Sequence, residues 1–170
     1  MLNGSNRRQF DSALADFAKA ISINEKEEET AKDAENIKAH LHRGKAYEAL
    51  KQYPEAIADF SKAIDLSIMK EDSLKASSFY HRGHVYKLQD RYKEAIVDIN
   101  RAVSLNDKNP EALLAQSALL AKKRNYDEAL STLKKALTLD PELKHQANNE
   151  KLFRTLKRRK RDEFRAIVPK

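Results

Sequence analysis

Two apolar stripes at helical spacing, separated by a short polar break, occupy residues 37–66. The first stripe recurs every third residue and consists of Leu41, Gly44, Tyr47 and Leu50. The second stripe consists of Ala56, Ile57, Phe60, Ala63 and Ile64. Each stripe follows one side of an α-helix, so each helix needs a neighbour that covers it. Because Pro54 suits the first turn of the second helix, where its missing N–H costs nothing, the stretch predicts a helical hairpin.

The same pattern returns twice downstream, and such a repeat constrains the fold more than any single residue does. Residues 80–86, YHRGHVY, match LHRGKAY in the first copy, and residues 91–96, RYKEAI, match QYPEAI. A third copy contains NYDEAL at residues 125–130. These copies resemble the tetratricopeptide repeat family. Its pattern is a small residue and an aromatic residue on the first helix, then an alanine, a bulky apolar residue and another alanine on the second.

The resemblance implies an all-α fold, namely a right-handed superhelical array of antiparallel helix hairpins (an α-solenoid) with a C-terminal capping helix. Three repeats are expected within residues 37–141, at 37–68, 76–107 and 110–141. Residues 1–24 are expected to be a partial repeat with a second helix only, and residues 25–36 an acidic connection or helix extension. Residues 142–170 are expected to form a basic capping helix and tail.

The N-terminal stretch matches the second helix of a repeat, but no first helix precedes it. The matching positions are Phe10, Ala13, Leu14, Phe17, Ala20 and Ile21. A second helix without its first helix leaves an apolar face uncovered. We interpret the chain as a fragment of a longer array, and the alternative is that a partner in an assembly covers this face.

Gly44 and Gly83 occupy the same place in their repeats, and Ser117 occupies that place in the third. No GxGxxG or GxxxxGK motif surrounds either glycine, so a phosphate-binding loop is not expected. Both glycines lie inside a predicted helix, where glycine costs up to about 1 kcal/mol relative to alanine. We infer that a small residue is required because two helices approach closely at this point.

Composition narrows the classes of function. The 170 residues include no cysteine, so neither a disulfide framework nor a thiolate metal site is expected. No apolar run approaches the roughly 20 residues of a membrane span, and the N-terminus lacks the apolar core of a signal peptide. We therefore predict a cytoplasmic protein, with the nucleus as the alternative. No nucleophile, base and orienting acid stand in a recognisable arrangement, so we expect no catalytic residues and no cofactor.

The basic charge is concentrated at the C-terminus. Residues 151–170 contain nine Lys or Arg and two Asp or Glu, whereas the first 150 residues contain 24 of each kind. The basic residues singled out are Arg154, Lys157, Arg158, Arg159, Lys160 and Arg161. We interpret the segment as a capping helix with a basic solvent side, its apolar side running from Leu143 to Phe164. The alternatives are a nuclear import signal, a nucleic-acid contact, or a contact with an acidic membrane or protein surface.

The first helices of successive repeats line a concave groove in arrays of this kind. The predicted groove residues are Lys38, Leu41, His42, Lys45, Glu48, Tyr80, His81, His84, Lys87, Leu114, Ala118 and Lys122. Such a mixed surface with a basic centre suits an extended or helical peptide that carries acidic groups. We predict a non-catalytic protein–protein interaction scaffold that binds a peptide segment of a partner. Nucleic acid is disfavoured as a partner, because only Phe153 and Phe164 flank the basic run and no reading motif is present.

Two other ligands fit parts of this groove less well. Some members of the family bind the acidic C-terminal tails of heat-shock chaperones through a clamp of lysine, asparagine and arginine side chains. That resemblance is poor, because His42, His81 and Ala115 stand where the clamp would have asparagine or arginine. The three groove histidines together with Glu48 offer ligands for zinc. Their spacing is not that of HExxH, and neighbouring helices lie roughly 10 Å apart, so we expect no metal site.

Overall fold

The computed structural model describes residues 4–24, 31–67 and 73–168. Within these ranges the chain forms ten α-helices, two 3₁₀ turns and no strand, so the predicted all-α repeat array is confirmed. The helices are α1 (Gly4–Asn24), α2 (Ala31–Ala49), α3 (Tyr53–Leu66), α4 (Ser73–Leu88), α5 (Tyr92–Leu105), α6 (Pro110–Lys122), α7 (Tyr126–Leu139), α8 (Lys144–Asn149), α9 (Arg154–Arg159) and α10 (Arg161–Ile167). The 3₁₀ turns are Pro141–Leu143 and Lys151–Phe153.

The hairpins pair as the apolar stripes predict. Helix α2 packs on α3, α4 on α5 and α6 on α7, and each hairpin also contacts the next one along the chain. In the first hairpin the seam residues Ala56, Phe60 and Ala63 are fully buried. The predicted connection at residues 25–36 is described only from Ala31 onward, where α2 begins. The remainder of that connection, and residues 68–72, lie outside the described residues.

Helix α1 packs on α2 as the second helix of a preceding repeat would. Its residues Ala13 and Phe17 match Ala56 and Phe60 in sequence, yet their side chains are only partly buried. The matched residues of α3 are fully buried because α2 covers them. Among the described residues, no helix takes that position beside α1.

The turns inside the three hairpins share one backbone geometry. Lys51, Asp90 and Arg124 have φ angles of 61°, 58° and 68°, the left-handed conformation that often ends a helix. In each turn the following residue donates its N–H to a carbonyl five residues earlier, at 2.9 Å for Gln52 and 3.0 Å for Asn125. These bonds satisfy carbonyl groups that the end of a helix leaves without partners. The three first helices therefore end in the same way and present equivalent faces.

An arginine and an aspartate join the two helices of each of the first two repeats. Asp59 accepts two hydrogen bonds from Arg43, both 2.7 Å long, and a third contact of 2.9 Å comes from the Nδ1 atom of His40. Asp98 accepts from Arg82 at 2.7 and 3.0 Å. The third repeat has Gln116 and Thr132 at the matching positions and lacks the pair. These pairs were not among the predicted contacts, although the two residues are 16 apart in both repeats.

Replacing Asp98 with alanine is expected to lower the free energy of unfolding by about 2 kcal/mol, because the Arg82 guanidinium loses a bidentate partner inside the hairpin. The Arg82 side chain is 19% exposed, so water compensates for part of the loss. Urea unfolding followed by circular dichroism measures the change. The matched control is Thr132→Ala in the third repeat, which is expected to stay within about 0.5 kcal/mol of wild type. Equal effects of the two substitutions would contradict a stabilising role for the pair.

The C-terminal segment covers the last hairpin, but it does so as three short helices and two turns instead of the single helix expected. The apolar residues assigned to its inner side pack in one cluster with α6 and α7, and among them are Leu143, Ala147, Phe153, Leu156 and Phe164. The chain bends at Glu150, which has extended backbone angles and accepts the N–H of Leu152 at 3.1 Å. It bends again at Lys160, whose backbone angles are also not helical. The bend at Lys160 lies between Phe153 and Phe164, whose rings meet edge to face at 5.7 Å.

Candidate functional site

The candidate site lies on the first helices of the first two complete repeats. Helices α2 and α4 contact each other. The predicted groove residues of α2 are Lys38, Leu41, His42, Lys45 and Glu48, and those of α4 are Tyr80, His81, His84 and Lys87. Leu41 is 2% exposed and belongs to the core beneath the groove, whereas Lys38 and His42 are exposed and the others are partly buried. We call the surface of α2 and α4 that carries these residues the groove.

Glu48 forms the centre of the groove, because two histidines from the neighbouring helix converge on it. The Nδ1 atoms of His81 and His84 lie 3.0 and 2.7 Å from the two oxygens of the Glu48 carboxylate. Burial by itself would raise the pKa of Glu48, but the hydrogen bonds from both histidines outweigh burial and lower that pKa to about 2. Glu48 is therefore a carboxylate held in place, and it ties α2 to α4.

Aromatic rings surround this centre. The ring of His81 stacks on Phe60 at 5.4 Å and meets Tyr80 edge to face at 5.0 Å, while His84 stacks on Tyr80 at 6.1 Å. Burial, together with the charges of Glu111 and Glu48, raises the pKa of Tyr80 above its usual value, so its hydroxyl stays neutral. These contacts fix the orientation of both imidazoles. The middle of the groove is thus a rigid platform built before any ligand arrives.

A cavity of about 550 Å³ opens between the ends of α2 and α4. Its walls carry Lys45, Lys51, Tyr53 and Leu88, and Glu48 and His81 form its inner side. Among the described residues, neither lysine forms an ion pair with a carboxylate, and the Leu88 side chain is 48% exposed. The cavity therefore combines an accessible apolar surface with two ammonium groups that have no ion-pair partner in the described part of the chain. Lys51, Tyr53 and Leu88 were not among the predicted groove residues, because they lie at or next to the hairpin turns and not on the first-helix stripe.

The C-terminal segment closes the end of the groove that α6 would line. Leu114 is 7% exposed and Ala118 is fully buried, both beneath this segment, so we omit them from the groove. Glu150 accepts a hydrogen bond of 2.7 Å from Lys87 of α4. The ammonium of Lys122 lies 4.6 Å from the centre of the Tyr92 ring, at an edge of this closed end. The open part of the groove is consequently shorter than the sequence predicts and consists of α2 and α4.

The basic residues predicted for the tail do not share one surface. Lys157 lies 5.2 Å from the centre of the Phe164 ring and donates to the Asn148 carbonyl, while Lys160 pairs with Asp127 at 3.0 Å and Glu163 at 3.4 Å. Arg161 is exposed at the start of α10. The remaining three, Arg154, Arg158 and Arg159, line a separate cleft against the third repeat. Three of the six predicted basic residues, Lys157, Lys160 and Arg161, therefore either support the packing of the segment or face solvent away from this cleft.

The histidines do not assemble a metal site in the part of the chain that the structure describes. There, no group of three or more His, Cys, Asp or Glu side chains is placed to hold a metal ion. His81 and His84 direct Nδ1 at Glu48, whereas His42 stacks on Phe17 at 5.9 Å. Burial, followed by the charges of Lys45, His81 and Lys38, lowers the pKa of His42, which favours its neutral form. None of the described helices is long and apolar enough to cross a membrane.

Antiparallel helix pairs stacked side by side, with a groove on their first helices, define a helical-repeat solenoid. Tetratricopeptide repeat models match residues 37–67, 76–109 and 110–143, which together make up more than half of the chain. The chain belongs to the tetratricopeptide repeat family. Repeats of this family act as protein–protein interaction scaffolds. No curated protein matches the chain.

Solved structures share the fold over most of this chain. A crystal structure of MamA aligns with a TM-score of 0.69 and 22% identity over 99% of this chain and 91% of that one. YrrB, described as a TPR protein with an unusual peptide-binding site, aligns with a TM-score of 0.62 and 24% identity over 97% and 81% of the two chains. The TPR domain of Arabidopsis OM64 aligns with a TM-score of 0.59 and 22% identity over 76% and 98%. At these identities the likeness is one of fold.

Proposed function

We propose that this protein is a non-catalytic scaffold whose groove binds an acidic peptide segment of a partner protein. One observation carries the proposal. Lys45 and Lys51 line the cavity between α2 and α4 without ion-pair partners among the described residues, beside the exposed side chain of Leu88. A carboxylate of the peptide would meet the two ammonium groups, and an apolar side chain would cover Leu88.

The fixed centre of the groove supports the same ligand. Glu48 is already hydrogen-bonded to His81 and His84, so its charge is partly neutralised before a peptide binds. The stacked rings around it have little rotamer freedom left to lose, which reduces the entropic cost of binding. YrrB, which shares this fold, is described as having a peptide-binding site, and this is consistent with the proposed use of the groove.

Acidic chaperone tails belong to the same chemical class, but the groove does not favour them in particular. Lysine meets a carboxylate as a point charge and lacks the bidentate fork of arginine, so it selects acidic character more than a defined terminus. The third helix of a clamp would be α6, and the C-terminal segment buries Leu114 and Ala118 of that helix. We therefore propose recognition of an internal or terminal segment that pairs an acidic residue with a leucine-like residue.

The test is binding of labelled twelve-residue peptides that place Asp or Glu next to Leu, measured by fluorescence anisotropy on the full chain. We expect Lys45→Glu/Lys51→Glu to weaken binding by about tenfold or more, because two attractive contacts become repulsive. The matched control is Lys62→Glu/Lys134→Glu. It makes the same charge change on exposed positions of the second helices α3 and α7.

Peptides with Asn and Gln in place of Asp and Glu serve as the ligand control. Binding that persists with these neutral peptides, or that falls equally in the two double variants, would contradict recognition at the groove. Circular dichroism of each variant checks that the helices remain intact.

A further inference from the structure

A second cavity, of about 640 Å³, lies between the turn of the third hairpin and the C-terminal segment. Its basic lining residues come from both sides and are Lys122, Arg124, Lys151, Arg154, Arg158 and Arg159. Among the described residues, no aspartate or glutamate lines it. We call this cavity the basic cleft. The basic surface was predicted on the tail alone, but the third repeat contributes Lys122 and Arg124 to the cleft.

The six cations of the basic cleft have no carboxylate partners within the described part of the chain. Each ion pair found there for a basic residue of the C-terminal segment involves Lys160, which is outside the cleft. Lys122 lies over the ring of Tyr92, which attracts the ammonium group without supplying a carboxylate partner. Like charges gathered around one cavity repel each other, and a bound anion would relieve that repulsion. Among the described residues, no carboxylate therefore balances the positive charge of the cleft.

The kinds of cation and the shape of the cleft indicate the class of anion. Four of the six are arginines, whose planar guanidinium groups bind phosphate oxygens in pairs. The lining includes one aromatic residue, Tyr126, so the row of stacking rings typical of single-stranded nucleic-acid sites is missing from it. A concave cleft of this size suits one or two phosphorylated side chains better than it suits a flat membrane surface.

We propose that the basic cleft binds a phosphorylated segment of a partner protein. The third hairpin and the C-terminal segment hold the two walls in place, since Phe153 and Leu156 on the segment are fully buried against α6 and α7. The phosphate would lie between the turn arginine Arg124 and the arginines of α9. This site is separate from the groove, so a partner could occupy both.

The test uses the full chain and a labelled peptide with two adjacent phosphoserines, in 150 mM salt. We expect Arg124→Glu/Arg158→Glu to weaken its binding by about tenfold or more. The control Arg161→Glu/Arg165→Glu makes the same change of net charge at exposed positions of α10 that do not line the cleft, and it is expected to bind as wild type does. The double variant Arg124→Gln/Arg158→Gln removes charge without reversing it and repeats the test should the reversed variant lose helicity.

Three comparisons distinguish the competing ligands. The unphosphorylated peptide is expected to bind at least about tenfold more weakly than the phosphopeptide. Tighter binding of a 20-nucleotide single strand, or of phosphatidylserine vesicles, would overturn the proposal in favour of those ligands. Equal losses in the cleft variant and the α10 control would overturn it by showing that net charge alone is responsible. The Lys45→Glu/Lys51→Glu variant is expected to bind the phosphopeptide normally, which separates this site from the groove.

Discussion

Replacing Gly44 with leucine is expected to lower the free energy of unfolding by about 3 kcal/mol or more, because the first hairpin has no space for a side chain at this position. A Cβ atom built on Gly44 would lie 2.6 Å from Cε1 and 2.8 Å from Cδ1 of Phe60. Phe60 is fully buried, so its ring has nowhere to move without opening the seam between α2 and α3. At about 2–4 °C per kcal/mol for a chain of this size, the melting temperature is expected to fall by roughly 6–12 °C.

The control for this substitution is Ala58→Leu, which adds leucine at an exposed position of α3. Thermal unfolding, followed by circular dichroism, gives the melting temperature of both variants. Comparing them separates the effect of crowding at the seam between α2 and α3 from the effect of adding a leucine side chain at the surface. The control is expected to change the free energy of unfolding by less than about 0.5 kcal/mol. An unchanged melting temperature for Gly44→Leu would refute the assignment of this glycine to close helix packing.

The repeat made the fold predictable, and the glycines show why. A Cβ atom on Gly83 would lie 3.0 Å from both Asp98 Cβ and Ile99 Cγ1, so the second hairpin is also closely packed here, although less tightly than the first. In the third hairpin Ser117 fits, and its hydroxyl donates to the Ala129 carbonyl at 2.6 Å. A small residue at this matched position therefore marks the point where two helices cross closely. The sequence reveals this crossing because the same short pattern recurs in each repeat.

The parts of the site that the sequence did not predict depend on contacts between distant segments. Repeat spacing groups Glu48, His81 and His84 on one predicted groove surface. It does not show that both imidazoles bond to this carboxylate, since they are 33 and 36 residues away. The pairing of Lys87 with Glu150 spans 63 residues and depends on the bend at Glu150. An apolar stripe identified the inner side of the C-terminal segment correctly, but spacing alone did not reveal where the helix would break.

The ionised Glu48 carboxylate is expected to stabilise the fold above about pH 4.5 and to lose that effect as the pH falls toward 2. Its pKa is lowered from 4.5 to about 2 in the folded protein. A carboxyl group whose pKa is depressed by folding adds stability where both states are ionised, and this stability disappears as the folded state takes up its proton. The groups facing it are His81 and His84 from α4, whose Nδ1 atoms are within 3.0 Å. The Glu48 side chain is 15% exposed, so solvent screening is limited.

Comparing wild type with Glu48→Gln by guanidinium unfolding tests this linkage directly. Wild type is expected to be more stable by about 3 kcal/mol at pH 5.5 and by only about 1 kcal/mol at pH 2.5. Glu35→Gln is the control, since it makes the same change at an exposed position of the same helix, where solvent screens interactions between charges. A difference between wild type and Glu48→Gln that stays constant across this range would mean that the histidines do not hold Glu48 in its charged form. The groove would then lack the fixed centre that joins its two helices.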